Sequence, residues 1–292
     1  MDFNKYYEDR QKLVNTFLEK RLEKKGISRV DEAMAYSLLA GGKRIRPIIL
    51  MATADALGVS GYNFLPVACG LEMIHTYSLI HDDLPCMDDD EYRRGRLTNH
   101  KVFGEALALL AGDALLTLAF EVMLEQKNVP AEVLVETVRE VAMCAGNFGM
   151  VGGQVLDLKA EKSKPTLSAL QTIDRLKTGA LIKAACTLGC LASEKYDGQK
   201  IAAASVYAEN IGLAFQIVDD ILDVTSDTAT LGKPVGSDDK NEKITYVKLM
   251  GIEKSQETVD ELTKEAVNAL GVFDGDTSFL EKLAYKLALR KK

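Results

Sequence analysis

Two aspartate clusters place the strongest limit on what this chain can fold into. Asp82-Asp83-Leu84-Pro85-Cys86-Met87-Asp88 and Asp219-Asp220-Ile221-Leu222-Asp223 both follow segments that are otherwise apolar with helical spacing. Carboxylates crowded at the ends of greasy helices repel one another and resist desolvation, so packing those helices requires water or a cation at the clusters. Magnesium suits the second solution. It keeps several waters and takes one or two carboxylates plus substrate phosphates, so two separate clusters predict a polynuclear site bridged by phosphate oxygens. A diphosphate substrate is the corresponding expectation.

The remaining sequence predicts an all-α scaffold. With 22 Gly, 6 Pro and 47% hydrophobic residues in 292, and no β-branched runs bounded by turn signals, no sheet of consequence is expected. Apolar residues recur at helical spacing over 9–25, 30–40, 46–57, 62–84, 105–125, 131–158, 168–191, 198–226, 243–250, 255–270 and 278–289. The connections are short, so one domain spanning 1–292 is expected. The two longer irregular stretches, 85–104 and 227–242, each follow an aspartate cluster, and loops on a rigid scaffold are where binding groups collect.

Charge and cysteine usage narrow the function classes. A net charge of −7 argues against non-specific binding to nucleic acid or an anionic membrane. The five cysteines, Cys69, Cys86, Cys144, Cys186 and Cys190, lack CxxC spacing, so neither a disulfide framework nor a zinc site is indicated and a reducing cytoplasm fits. The first residues carry charges and no apolar signal core, so export is not expected. A long uncharged stretch, residues 141–156, holds Asn147, Gln154 and four glycines; it reads as a buried, closely packed helix and not as a membrane span.

Leu79-Ile80-His81-Asp82-Asp83-Leu84 echoes Ile217-Val218-Asp219-Asp220-Ile221-Leu222, as two halves of one site would. In helical projection Gln216, Asp219, Asp220 and Asp223 share a stripe, as do His75, Ser78 and Asp82. If the two helices face each other, their carboxylates converge across a cavity. Pro85 ends the first helix and lets Asp88 fold back towards Asp82. Basic residues gather at Lys43, Arg44 and Arg46, at Arg93, Arg94 and Arg96, and at Lys233, Lys240 and Lys243. Such juxtaposition favours a pocket for a cation and an anion together.

Six motifs in order carry a resemblance: Gly41-Gly42-Lys43-Arg44-Ile45-Arg46-Pro47; the Asp82 cluster with Arg93-Arg94-Gly95; Gly152-Gly153-Gln154-Val155-Leu156-Asp157; Lys177-Thr178-Gly179; Phe215 to Asp223; and Leu231-Gly232-Lys233-Pro234. Over nearly its whole length the chain is similar to the trans-prenyltransferases that join isoprenoid diphosphates head to tail, particularly bacterial farnesyl diphosphate synthases. The resemblance implies an all-α, single-domain isoprenoid-synthase helical bundle around a central cavity, assembled as a homodimer.

The same resemblance assigns roles. Asp82, Asp88 and Asp219 would bind three Mg²⁺, with Asp83, Asp220 and Asp223 supporting them from behind or through waters. Lys43, Arg46, His75 and Arg94 would hold the metal-free diphosphate of isopentenyl diphosphate, where guanidinium forks match phosphate geometry. Arg93 would contact the allylic diphosphate, that of dimethylallyl or geranyl diphosphate, with Lys233 and Lys243 closing over it. Lys177, Thr178 and Gln216 would direct oxygens at the allylic carbocation and hold the departing diphosphate. Taken singly these residues have plainer readings: solvated helix ends for either aspartate cluster, surface charge for Lys43 and Arg46, and a core histidine for His75.

Tyr77 and Ser78 lie about one turn before Asp82, at ~1.5 Å rise per residue, where they can line the cavity that holds the prenyl chain. An aromatic at Tyr77 implies arrest at the fifteen-carbon product; its plainer reading is a core aromatic. The alternatives are a geranylgeranyl diphosphate synthase with a deeper cavity and a noncatalytic partner subunit, against which both intact clusters speak. Tyr92 and Ile244 depart from the family pattern, which has an aliphatic residue and a serine there. Cys186 and Cys190, one turn apart, are similar to a pairing motif of noncatalytic subunits and more simply read as core.

Overall fold

The computed structural model describes residues 1–23, 29–127, 129–160, 165–225 and 244–290. The fold is all-α, a bundle of long helices. In chain order these are α1 (Phe3–Leu22), α2 (Val30–Leu38), α3 (Ile45–Ala56), α4 (Leu65–Asp82), α5 (Asn99–Phe103), α6 (Glu105–Leu124) and α7 (Ala131–Ala145). There follow α8 (Met150–Ala160), α9 (Leu167–Asp174), α10 (Ala180–Ser193), α11 (Gly198–Thr225), α12 (Tyr246–Met250), α13 (Ile252–Ala269) and α14 (Ser278–Ala288). The helix α4 packs along α6, α10 on α3, and α11 on α13. The main core is built from Ile48, Ile49, Leu50 and Met51 of α3, Leu71, Met73 and Ile74 of α4, and the small and aliphatic faces of α6 and α10. A second cluster joins Leu213, Ile217 and Val218 of α11 to Tyr246 and Val259.

Three of the expected helices are interrupted. Residues 61–64 form a 3₁₀ turn before α4, with Pro66 in the first turn, where its missing N–H costs nothing. The stretch 131–158 breaks at Gly146, which leaves the helical region with ψ −157°. The stretch 168–191 carries a π-turn, Arg175–Gly179, between α9 and α10; one extra residue in a turn is invisible to a 3.6-residue period. Residues 141–156 are not the buried helix expected from composition, because Phe148 is 81% exposed and Met143, Val151, Val155 and Leu156 are also exposed.

By length and composition alone, α6 and α11 are apolar enough to cross a membrane. Here they are bundle helices, with 39% and 56% of their apolar windows buried. Cys186 and Cys190 are buried core residues, in keeping with the simpler reading.

The small sheet matters more than its size. Strands β1 (Tyr92–Arg93) and β2 (Arg96–Leu97) pair antiparallel, Tyr92 opposite Leu97 and Arg93 opposite Arg96. The two turn residues, Arg94 and Gly95, have φ of +54° and +74°, the signature of a type I′ hairpin. Thr98, Asn99 and Tyr36 tie it down: Thr98 Oγ1 donates to Asp90 O, Asn99 Nδ2 to Ala33 O, and Tyr36 OH to Leu97 O.

Candidate active site

The loop leading into α3 is held by one stripe of α1. Tyr7 OH donates to Lys43 O, Gln11 Nε2 donates to Gly42 O at 2.9 Å, and Asn15 Oδ1 accepts from Arg44 Nε at 2.9 Å. These three residues are spaced i, i+4, i+8 and so share a helix face. Burial pushes the Tyr7 phenol up to about 12, with the Glu72 carboxylate adding to the effect, so it remains a neutral donor. Gly42 sits at φ +131°, and a Cβ there would meet the Arg94 guanidinium at 2.8 Å. Arg94 itself donates to Gly41 O, which docks the hairpin on this loop.

Within this loop the three cations divide their work. Arg44 is buried and bonded to Asn15, to Leu38 O at 2.7 Å and to Glu72 at 2.9 Å. Breaking one side of a buried ion pair costs about 3–5 kcal/mol, which makes Arg44 structural. Lys43 and Arg46, beside Arg44, line a cavity of about 450 Å³ together with His75, Arg94, Thr178 and Phe215. Arg46 Nε is buried without a hydrogen-bond partner, and among the described residues Glu72 is the one carboxylate lining the cavity. Burial holds the His75 imidazole well below its ordinary 6.5, reinforced by Arg46, Arg94, Arg93 and Arg44. Such a surplus of cations with an unsatisfied guanidinium is built for an anion.

At the end of α4 the chain turns as Pro85 dictates. Asp88 N donates to Asp82 O at 2.9 Å, and Met87 N to Leu84 O at 2.8 Å, so Asp88 is folded back beside Asp82. Burial pushes the Asp82 carboxyl up to about 6; Asp88 and Asp83 add to this while Lys177 and Arg93 oppose it. A carboxylate cluster under that strain accommodates a divalent cation. Asp83 is buried and accepts from Arg93 Nε and Nη2, both at 2.7 Å. Arg93 thereby fixes Asp83 while its own side chain stays 32% exposed.

A second cavity, about 400 Å³, opens at Asp82 and is lined by Tyr77, Ser78, Met87, Met150, Val151, Gln154, Val155, Leu158, Lys177 and Thr178. Arg46, His75 and Thr178 line both cavities and form their common wall. Lys177 and Thr178 are presented by the π-turn, whose widened backbone packs directly on α8 at Gly153. A Cβ on Gly153 would collide with Lys177 N, Leu176 C and Lys177 Cα. Lys177 Nζ bonds Asp157 Oδ2 at 2.6 Å, an ion pair that links two of the six motifs.

The α11 wall is arranged differently. Asp219 is paired with Arg290, which also donates to Phe215 O at 3.1 Å and lies 3.8 Å from the centre of the Phe215 ring. Asp220 accepts the Tyr246 N–H at 2.7 Å and so anchors α12, while Asp223 is buried and Gln216 half-buried. Among the described residues no three His, Cys, Asp or Glu side chains converge on one metal position. The charges acting on Asp82 are Lys177, Asp88, Arg93 and Asp83, whereas Lys43 feels Asp219 and Arg290. The carboxylates on the two walls therefore stand in two charge neighbourhoods. Lys233 and Lys243 lie outside the described residues.

Sequence reasoning missed Tyr7, Gln11, Asn15, Glu72, Asp157 and Arg290. The i, i+4, i+8 spacing of the first three was readable, but their targets are backbone carbonyls more than thirty positions away in two cases and a side chain in the third. Asp157 stood inside a quoted motif without a partner. Nothing in the sequence marked Glu72 or Arg290.

Comparison with known proteins agrees with this geometry. The family model "Polyprenyl synthetase" matches residues 27–272. The geranylgeranyl diphosphate synthase of Cyanophora paradoxa is 47% identical over 274 residues, covering 92% of this chain and 90% of that protein. The farnesyl diphosphate synthase of Geobacillus stearothermophilus is 43% identical over 293 residues, covering 99% and 98%. The crystal structure of geranylgeranyl pyrophosphate synthetase from Pyrococcus horikoshii superposes with a TM-score of 0.91 at 30% identity, covering 99% of this chain and 98% of that one. The chain belongs to the polyprenyl synthetase family and is a prenyltransferase.

Proposed function

We propose that this protein is a magnesium-dependent farnesyl diphosphate synthase, one catalytic domain over residues 1–292, working as a cytoplasmic homodimer. The observation that carries the reading is the pair of cavities with a common wall of Arg46, His75 and Thr178. One is cationic; the other is largely apolar with the Asp82 carboxylate on its wall. Isopentenyl diphosphate binds the first through Lys43, Arg46, His75 and Arg94. Dimethylallyl or geranyl diphosphate binds the second, its chain directed along α4 towards Tyr77 and Ser78.

Three Mg²⁺ bound with the diphosphate at Asp82, Asp88 and Asp219 would supply charge neutralisation of the leaving group. Asp83, held by Arg93, supports that wall, with Asp220 and Asp223 supporting the opposite one, and Arg93 also contacts the allylic diphosphate. Lys177 faces the departing diphosphate, and Thr178 and Gln216 turn oxygens to the allylic cation. The new bond forms between the allylic carbon and the terminal alkene carbon of isopentenyl diphosphate; the released diphosphate then takes the proton lost. Lys233 and Lys243 are assigned to the same diphosphate from outside the described residues.

Tyr77 supports the fifteen-carbon product because it is 7% exposed, lines the apolar cavity, and is braced edge-on by His81 at 5.6 Å. The 47% identity to a geranylgeranyl diphosphate synthase favours the second reading, the same chemistry with one further addition. Chromatography of products made by the purified protein from isopentenyl diphosphate and either dimethylallyl or geranyl diphosphate separates them: a fifteen-carbon product is expected, and mainly twenty carbons overturns the assignment. Asp82→Asn tests the metal wall, with turnover expected to fall by about two orders of magnitude, near 3 kcal/mol of transition-state stabilisation. Near-normal turnover with intact helicity would refute it.

A further inference from the structure

Asp219 already has a cation. Arg290, two residues beyond α14, donates Nη2 to Asp219 Oδ1 and to Phe215 O, and stacks its guanidinium on the Phe215 ring. Its side chain is 11% exposed, against 43% for Asp219, so the carboxylate is reached from solvent while its partner is set into the wall. Arg290 Nε is buried without a partner of its own. The contrast with the other wall is direct: Arg93 is engaged by Asp83 and Lys177 by Asp157, so neither cation is hydrogen-bonded to Asp82.

The position of Arg290 also joins the two halves of the site. Lys43 is held below its ordinary 10.5 chiefly by burial and next by Arg290, with Asp219 opposing. Lys43, Arg290 and Asp219 thus share one charge neighbourhood. It lies where the aspartate wall meets the cationic cavity, whose lining includes Lys43, Phe215 and Leu287 of α14. A divalent ion arriving alone at Asp219 would put two further positive charges beside Arg290, which is hydrogen-bonded to that carboxylate, and near Lys43. A charge-assisted guanidinium–carboxylate bond would have to break with no new anion for the guanidinium.

We propose that Arg290 is the resident counterion of Asp219, displaced only when a divalent metal arrives with a diphosphate whose oxygens both complete the metal's coordination and receive the freed guanidinium. This rests on the reading of Asp219 as a metal ligand. It makes metal loading asymmetric: the Asp82 wall accepts a cation first, and the Asp219 wall waits for the phosphate. Mg²⁺ keeps its waters unless phosphate oxygens replace them, which favours the same order.

The test uses full-length protein, Mn²⁺ as the paramagnetic probe read by electron spin resonance, and inorganic pyrophosphate as the anion. In wild type, pyrophosphate tightens a Mn²⁺ site that Asp219→Asn removes. In Arg290→Gln, that site binds Mn²⁺ about fivefold tighter without pyrophosphate, the scale of one partly exposed ion pair, and the enhancement by pyrophosphate shrinks by the same factor. Asp219→Asn in the Arg290→Gln background abolishes the gain. Arg290→Lys keeps the charge but loses the fork and the ring stacking, and falls between wild type and Arg290→Gln. If either Arg290 variant, with wild-type helicity, binds Mn²⁺ without pyrophosphate no more tightly than wild type, the counterion role is wrong while the metal site stands. If wild type with pyrophosphate shows no Mn²⁺ site sensitive to Asp219→Asn, the metal assignment falls and the counterion role with it.

Discussion

His75 is surrounded by guanidinium groups, Arg44 and Arg46 from the α3 end and Arg93 and Arg94 from the hairpin, and its imidazole is neutral in the folded protein because burial and those charges oppose protonation. Unfolded, the same side chain takes up a proton near 6.5. The unfolded state therefore binds more protons as pH falls through that value, and stability declines towards acid by at most about 1.4 kcal/mol per pH unit from this group. His75→Gln should make the fall in melting temperature between pH 7 and pH 5.5 shallower than in wild type. An equal slope in calorimetry would show that the folded imidazole takes up its proton as readily as the unfolded one. Tyr77 tests the other cavity at the same scale. Tyr77→Ala removes a ring that lines the cavity beside Ser78, so under the proposed reading products should lengthen towards twenty carbons while ionisation of the primer persists. Unchanged product length would mean that the ring is ordinary core.

Among elements, α1 acts as a clasp. Its Tyr7, Gln11 and Asn15 hold the carbonyls of Lys43 and Gly42 and the guanidinium of Arg44, so a helix far from the chemistry sets the loop that presents Lys43 and Arg46. Each such bond contributes about 1 kcal/mol net. Combining Gln11→Ala with Asn15→Ala should raise the Michaelis constant for isopentenyl diphosphate severalfold and leave that for geranyl diphosphate near its wild-type value, because the allylic cavity has no lining residue on this loop before Arg46. Equal rises for both substrates would assign the clasp to general stability. The π-turn does comparable work on the other side. Widening the backbone at Arg175–Gly179 brings Lys177 and Thr178 to the cavity wall against Gly153.

For the whole molecule, the informative surface is apolar. Leu109 and Leu110 of α6, Met143 of α7, Phe148, and Val151 and Val155 of α8 are exposed on consecutive helices that pack on one another. Val151 and Val155 also line the allylic cavity, so a second copy seated there would close one of its walls. These side chains are what a second copy would cover in the proposed homodimer, and a stable homodimer needs roughly 1,200 Å² or more of buried surface. Phe148→Asp should shift the mass measured by light scattering from dimer to monomer without loss of helicity. A wild type that is monomeric at micromolar concentration would remove the homodimer from the proposal.

What the sequence determined by itself was local or repetitive. The helical period sets the all-α class, Pro85 forces the return of Asp88 to Asp82, and motif order identifies the family and most candidate site residues before any coordinates. Tertiary structure alone decided the rest. Asp83 and Arg93, ten positions apart, meet because a type I′ turn at Arg94 and Gly95 aims the hairpin back at α4. Arg290 and Asp219 meet because α14 packs on α11. Glu72 neutralises Arg44 across a core that no local pattern describes. The exposure of residues 141–156 likewise escaped a composition rule, because hydrophobicity says that a surface is to be covered and not which surface covers it. Pairings between distant side chains depend on how helices are set against one another, and that arrangement is a property of the packed bundle.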